Sequence, residues 1–350
     1  MKHENTMEIR ILIMYEEITT ATNQLQQAIK LIAAELDIST IEATIILFSV
    51  MLDQEDVDFA SLSGEMQGQI HALIAASAFQ DLAVASKRQV LQFLLVSVMQ
   101  TDGLPANYQV TPDAIGMWVG YIAEQFAIGH DRVRLTDVAI GSGNLVATVS
   151  QVLATAAITT TVIGYDNDDT LLTVASGLAA LLGYDWQLEL GDAVALTAQS
   201  TTDLLISDLP VGYYPKDEVA HYQVNAAPEK TFAHHLLIEQ GMRQLIPCGL
   251  GIFVAPANLF ESDQAKQLLG YLQSDEVYLQ GMLRFPDKLF VDPAVAKVLL
   301  ILQRAGAQAT QVEPVMLGQI PEVANKAANA QFISEFSTWM QDNHLKMPQD

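Results

Sequence analysis

Asp137-Val138-Ala139-Ile140-Gly141-Ser142-Gly143-Asn144-Leu145 stands where a short apolar run, Val133 to Ile140, gives way to a helical stretch, Leu145 to Ala157. Two glycines one residue apart let the backbone turn sharply and let a ligand approach it without a Cβ in the way. Moving outward, a second strand-like run, Thr160 to Tyr165, ends in Asp166, and a helical segment follows from Leu171 to Leu182. Further strand-like runs lie at Trp186 to Leu190, Asp203 to Ser207 and Gly251 to Ala255. Strands alternating with helices predict an α/β fold with a doubly wound, Rossmann-like parallel sheet. Right-handed crossovers then bring the strand ends, and any ligand, to one edge.

Before this region the pattern is different. Ile18, Ala21, Leu25, Ala28, Ile29, Ile32 and Leu36 recur at three and four residues, which puts them on one face of a helix ending near Asp37. Ser39-Thr40 has the chemistry of an N-cap, with Glu42 in the first turn. Val90, Leu91, Leu94, Leu95 and Val98 repeat the spacing inside Val84 to Met99, and proline is absent until Pro105. The expected organisation is therefore an all-α N-terminal domain over residues 1–104, an α/β domain over 105–330, and a short helix with a frayed polar tail over 331–350.

The 41 carboxylates outnumber the 17 Lys and Arg, so the net charge is -24. Proteins that hold nucleic acid neutralise phosphates with clustered cations, and the nearest approach to a cluster here is Lys87-Arg88. Tight DNA binding by the isolated chain is disfavoured; acidity favours solubility or a basic protein partner. No apolar run reaches the roughly 18 residues that would span a bilayer. The N-terminus lacks the order of a signal peptide, and Cys248 is the single cysteine. Those features predict a cytoplasmic protein without membrane association.

Acidic residues recur where strands end. Asp166 lies about 25 residues beyond the glycine turn, the distance at which a carboxylate accepts hydrogen bonds from both ribose hydroxyls of a nucleoside. Asp192, in Leu190-Gly191-Asp192-Ala193, follows the third strand and suits an adenine amino group. Asp208 follows the fourth, in Ile206-Ser207-Asp208-Leu209-Pro210-Val211-Gly212-Tyr213-Tyr214-Pro215. A nicotinamide-binding turn would place a small residue where Val146 stands, which disfavours a dehydrogenase.

This order of motifs resembles the class I S-adenosylmethionine (SAM) methyltransferases, and within them the adenine-N6 DNA methyltransferases in the arrangement of type I restriction methylase subunits. Tyr108-Gln109-Val110-Thr111-Pro112 is similar to that group's Thr-Pro motif. Leu283-Arg284-Phe285-Pro286-Asp287-Lys288-Leu289-Phe290, followed by Lys297 to Leu302, is similar to its late Pro-x-x-Leu-Phe hairpin. The helical front and the Asp208 string resemble the YtxK-like family of methyltransferases. The resemblance implies SAM as cofactor, with Thr111, Pro112, Asp137, Gly141, Gly143 and Asn144 at its methionine end, Asp166 at the ribose and Asp192 at the adenine. It also implies that Asp208 and Pro210 engage an acceptor amino group while Tyr213 or Tyr214 stacks on a flipped base.

Two departures bear on function. Leu209 replaces the first proline of the family's catalytic motif, and the aromatic is delayed to Tyr213, a displacement that Gly212 can absorb through a bulge. Only about 45 residues follow Leu302, too few for a separate target-recognition domain. One expectation is therefore an N-methyltransferase whose acceptor, DNA or another amino compound, the sequence leaves open. The other is a non-catalytic SAM-binding fold that dimerises or docks a protein through its helical domain. His234-His235 on a helix lacks partners in metal-ligand spacing, so no metal site is expected, and Cys248, expected in a turn before the fifth strand, lacks a paired base.

Overall fold

In chain order the helical front comprises α1 (Lys2–Leu36), α2 (Thr40–Met51), α3 (Val57–Ser61), α4 (Gly64–Ser77) and α5 (Val84–Thr101). The alternating region follows with α6 (Asp113–Phe126), β1 (Arg132–Asp137), α7 (Asn144–Thr155), β2 (Thr159–Asp166), α8 (Asp169–Leu182), β3 (Trp186–Leu190) and β4 (Thr202–Asp208). It is completed by α9 (Ala233–Gln244), β5 (Leu245–Pro256), α10 (Ala265–Leu272), β6 (Val277–Arg284), β7 (Lys297–Arg304), β8 (Met316–Gln319) and α11 (Lys326–Asp342). The computed structural model describes residues 2–105, 108, 110–197, 199–290, 295–322 and 324–348, with side chains from residue 13 onward. Gln109 of the Thr-Pro string, and Gln349 and Asp350 of the tail, lie outside the described residues. Among the described residues no helix is long and apolar enough to cross a membrane.

One compact unit takes Met1–Val110, Gly141–Ala147 and Asp168–Asp185. Its core holds most of the α1 face anticipated from spacing: Ile18, Ala21, Leu25, Ala28, Ile29 and Ile32 are buried, while Leu36 at the helix end is only half-buried. The Ser39 hydroxyl accepts from the Glu42 amide (3.3 Å) while the Glu42 carboxylate accepts from the Ser39 amide (3.0 Å), so α2 opens on a reciprocal capping box. Asp102, just past α5, accepts from the amides of Thr40 and Ile41 (3.0 and 2.9 Å) and ties the start of α2 to the end of α5. Asp168 caps α8 through the Leu171 amide (2.9 Å) and accepts the Tyr108 hydroxyl (2.9 Å). A Cβ on Gly177 of α8 would lie 2.7 Å from Cδ2 of Phe48 in α2, so these helices approach as closely as they do only because position 177 has no side chain.

The second unit takes Thr111–Ile140, Thr148–Asn167 and Trp186–Asp350. Its eight strands form one sheet in the order β3-β2-β1-β4-β5-β7-β6-β8. From β3 to β5 every pair is parallel, β7 runs antiparallel to both β5 and β6, and β8 is parallel to β6. The fold is thus the expected doubly wound α/β sheet, extended by the late hairpin β6–β7. The order reverses between β1 and β4, and in an open α/β sheet that switch point is where a crevice opens at the carboxyl ends of the strands. β4 is buried along its length up to Asp208, with Leu204, Leu205 and Ile206 at its centre.

Three local readings are corrected. The first strand stops at Asp137 instead of Ile140, because the Asp137 carboxylate accepts the Ala139 amide (3.0 Å) and turns the chain there. Cys248 lies within β5 rather than in a turn ahead of it: between the pairings Thr202↔Leu245 and Leu204↔Leu250 the register shifts, and Cys248 sits in that bulge at φ 68°. The tail is not a frayed polar end. α11 begins at Lys326, Phe332 and Phe336 pack beside Trp118 and Tyr121 of α6, and Leu345 and Met347 are buried, with the Met347 amide donating to Phe126 O (2.7 Å).

Helix propensity alone would make Gly177→Ala stabilising by about 1 kcal/mol. The Phe48 ring is anchored close to its own backbone, so overpacking wins, and the substitution is expected to lower stability by about 1–3 kcal/mol. A fall in the urea midpoint at unchanged slope checks this; a rise shows that the α2–α8 approach is looser than described.

Candidate functional site

Asp137, Asp166 and Asp208 close β1, β2 and β4, and parallel pairing puts all three on one edge of the sheet. Asp137 is almost fully buried. Oδ1 accepts the Ser207 hydroxyl (2.7 Å) from the neighbouring strand as well as the Ala139 amide. Burial pushes its carboxyl up to about 7, the two hydrogen bonds oppose that, and the negative charges of Asp166 and Asp208 add to the rise. Gly164 of β2, opposite Asp137, has no room for a side chain, since a Cβ there would meet Ile140 Cδ1 at 2.3 Å.

Asp208 is held from both sides. Oδ2 accepts the Thr111 hydroxyl (2.9 Å), and Oδ1 is paired with the Lys297 ammonium, the first residue of β7. Beyond Asp208 the chain runs on beside β5, with the Leu209 amide donating to Val254 O (2.9 Å) and the Leu209 side chain buried. Gly212, at φ 143°, then lets the loop bend so that Tyr213 pairs with Phe232. The Tyr213 ring is 63% exposed and stacks on Phe232 with centroids 4.5 Å apart and planes 14° apart. Phe232 in turn stacks on His234 of α9 (5.0 Å), whose ring bonds the Pro210 carbonyl. Burial lowers His234 to about 4 and His235 to about 3, so both rings are neutral at ordinary pH.

The two tyrosines have separate fates. Tyr214 is buried, and its hydroxyl donates to Oδ2 of Asp192 (2.6 Å). Lys216 donates to the same oxygen (2.7 Å), and the Val194 amide donates to Oδ1 (3.1 Å). Burial would raise the Asp192 carboxyl, but the bonds from Lys216 and Tyr214 outweigh it and hold the group below its ordinary range. Asp192 therefore anchors the 209–232 loop from inside the protein. The far half of that loop is fixed by Glu239 of α9, a fully buried carboxylate that accepts the amides of Gln223 and Val224 (3.0 Å each) and pairs with Arg243.

Directly after β1, Gly141 and Gly143 adopt φ 54° and 80°, and a Cβ on Gly141 would meet nothing within 4 Å. Asn144, buried, starts α7, and the Ala147 amide donates to Gly143 O (2.9 Å). Pro112 stands at the N-cap of α6. The glycine turn is thus a real positive-φ backbone turn, as its spacing implied.

The N-6 DNA Methylase family profile matches residues 110–335, nearly the whole α/β region. The chain belongs to the N-6 DNA methylase family. It is also 32% identical over 317 residues to YtxK of Bacillus subtilis (strain 168), an uncharacterized protein, spanning 90% of this chain and 95% of that one. A crystal structure from Listeria monocytogenes, assigned to the class I S-adenosylmethionine-dependent methyltransferases, superposes with a TM-score of 0.83 at 28% identity, over 93% of this chain and 99% of the other. The methyltransferase subunit of a type I restriction-modification system from Streptococcus thermophilus shares the fold at 12% identity, with a TM-score of 0.58 over 83% of this chain and 69% of that one.

In this N-6 DNA methylase chain the structure brings together Thr111, Asp137, Asp166 and Asp208, four of the residues selected from sequence. Asp192 and Tyr214 join each other instead. Sequence reasoning gave no role to Lys297, Ser207, Lys216 or Phe232. Lys297 was visible only as the start of the late hairpin, and nothing in its spacing connects it to Asp208, 89 positions earlier.

Asp137 yields a pH signature. The native carboxyl keeps its proton up to about pH 7 while the unfolded chain releases it near 4, so each pH unit across that window favours the unfolded chain. Asp137→Asn removes this penalty. Its stability gain over wild type should grow between pH 4 and 7 and then level off, at on the order of 3 kcal/mol. Chemical unfolding of both proteins across that range reads it, and a gain independent of pH would mean the carboxyl is solvated.

Proposed function

We propose that this chain is a SAM-dependent methyltransferase of the adenine-N6 type, transferring a methyl group to an amino nitrogen presented to Asp208. The observation that carries the reading is the placement of Asp208: a carboxylate at the end of β4, oriented by Thr111, on the edge that also carries Asp137 and Asp166. Family membership and the likeness to the Listeria structure support the cofactor assignment.

The residues present fit SAM. Its sulfonium and ammonium would meet an edge with three carboxylates, one of them desolvated far enough to hold a proton near neutrality. The family resemblance assigns Thr111, Pro112, Gly141, Gly143 and Asn144 to the methionine end and Asp166 to the ribose hydroxyls. The adenine end fits less directly, because Tyr214 and Lys216 stand on Asp192. When bound, SAM supplies an electrophilic methyl group.

The chain's own work is orientation. Asp208 accepts one hydrogen of the acceptor's amino group through a lone pair left open by Thr111 and Lys297. That bond directs the nitrogen lone pair outward without prior deprotonation, and the carboxylate takes up the proton as the new bond forms. Tyr213, rigidly backed by Phe232, offers an exposed ring face to a flat acceptor such as an aminopurine.

A second reading, a non-catalytic SAM-binding fold that works through its helical front on a protein partner or a second copy, is favoured by one observation. Lysines of the chain itself, Lys216 and Lys297, stand on Asp192 and Asp208, the carboxylates assigned to exogenous amino groups.

Calorimetric titration with SAM, its demethylated product and NAD should give binding of the first two alone. Tritium-labelled SAM mixed with protein and fractionated cell extract should then label one fraction. Asp208→Ala should cut that labelling by about 10²-fold or more while SAM affinity stays within about threefold. Parallel loss of both would remove Asp208 from the acceptor role, and SAM binding without any labelled fraction would favour the second reading.

A further inference from the structure

Asp208 raises a question of charge that the methyl-transfer reading leaves open. Its side chain is 16% exposed, and it shares an edge with two other carboxylates, one of which already gains a proton from its burial and neighbours. A carboxylate desolvated in such company protonates or acquires a counter-ion. The counter-ion here is Lys297, whose own side chain is 24% exposed. Its backbone is fixed on two sides, by pairing with Pro256 of β5 and by the Phe285 amide, which donates to Lys297 O (3.3 Å). The ammonium is therefore delivered by the sheet rather than by a wandering surface side chain. With Thr111 on Oδ2 and Lys297 on Oδ1, the carboxylate plane is set by two donors from different elements.

We propose that Lys297 is the positioning residue of the acceptor site, the counter-ion that, with Thr111, fixes the Asp208 carboxylate plane for an incoming amino group. The inference rests on the methyltransferase reading for its purpose, though not for its electrostatics. A carboxamide at position 208 would need no such partner, whereas a carboxylate deprived of it is stranded. Removing one member of a desolvated pair is far more damaging than replacing both.

The test uses the full chain as wild type, Lys297→Met, Lys297→Arg, Asp208→Asn and the double variant Lys297→Met with Asp208→Asn. Thermal unfolding midpoints are recorded from pH 5.5 to 8.5, and SAM is titrated calorimetrically at the same pH values. Among the described residues the charged or titratable groups at Asp208 are Lys297 from β7, Asp137 from β1 and, through it, Asp166 from β2. Asp137 and Asp166 are common to all five proteins, so differences between them isolate the 208–297 pair. Lys297→Met should lose about 5 °C, because it leaves the Asp208 carboxylate without its counter-ion. Lys297→Arg and the double variant should stay within about 2 °C of wild type throughout.

In any cell-extract fraction that accepts label, Lys297→Met should lower the rate, and Lys297→Arg should restore it. Additive deficits in the double variant, or a rate that Lys297→Arg fails to restore, would overturn the proposal even where SAM binds normally. A wild type that binds no SAM would instead sink the reading beneath it, whatever the midpoints show.

Discussion

Asp137 ends β1 at the point where the strand order of the sheet reverses, with β2 on one side and β4 on the other. Parallel strands joined by right-handed crossovers have no choice about where their carboxyl ends fall. An acidic residue at the end of β1, β2 and β4 therefore becomes a group of carboxylates on one edge, whatever the sequence distance between them. The central strands are buried on both faces, so the edge that receives those charges is poorly solvated. Asp137 shows the consequence: a proton held to about pH 7 against two hydrogen bonds that favour its release.

The same constraint orders the rest of the edge. Each carboxylate needs a partner, and each has a different one. Asp137 takes Ser207 from the adjacent strand, Asp208 takes Thr111 and Lys297, and Asp192 takes Tyr214 and Lys216. Lys230 pairs with Asp217 in the same loop. A net charge of -24 argued from sequence that cations were too few and too scattered for a nucleic-acid surface. Several of the 17 basic residues are nonetheless spent at this edge, each against a carboxylate. Bulk charge describes the far field of the molecule; the near field at the site is set by pairs that composition does not reveal.

Much of the fold was legible because it depends on local patterns. The α1 face, the Ser39–Glu42 cap, the alternation of strands with helices and the positive-φ glycine turn all follow from spacings of a few residues. The strand-end acids were legible as positions, since strand boundaries expose them. Their partners were not. Tyr213 and Tyr214 are adjacent and chemically identical in sequence, yet one stacks in the open and the other is buried against Asp192, a division made by Gly212 and by the bridge to Phe232 nineteen positions on. Lys297 and Asp208 meet only because β7 inserts between β5 and β6, a topological fact without a sequence signature. Cys248 was misplaced for a related reason: a bulge inside a strand looks, residue by residue, like the turn before it.

The position of Tyr213 follows the same logic. Counting residues from Asp208 puts the ring of Tyr213 too far along the chain, because counting assumes an extended path. The path is not extended. Leu209 continues the β4–β5 pairing and buries its side chain, Pro210 gives its carbonyl to His234, and Gly212 then turns the chain back so that Tyr213 lies against Phe232, itself stacked on His234. The ring is located by α9 and not by its distance from the carboxylate. In this chain the ring is positioned by the bend at Gly212 and by its stack on Phe232, with the neutral His234 linking the Pro210 backbone to the aromatic stack.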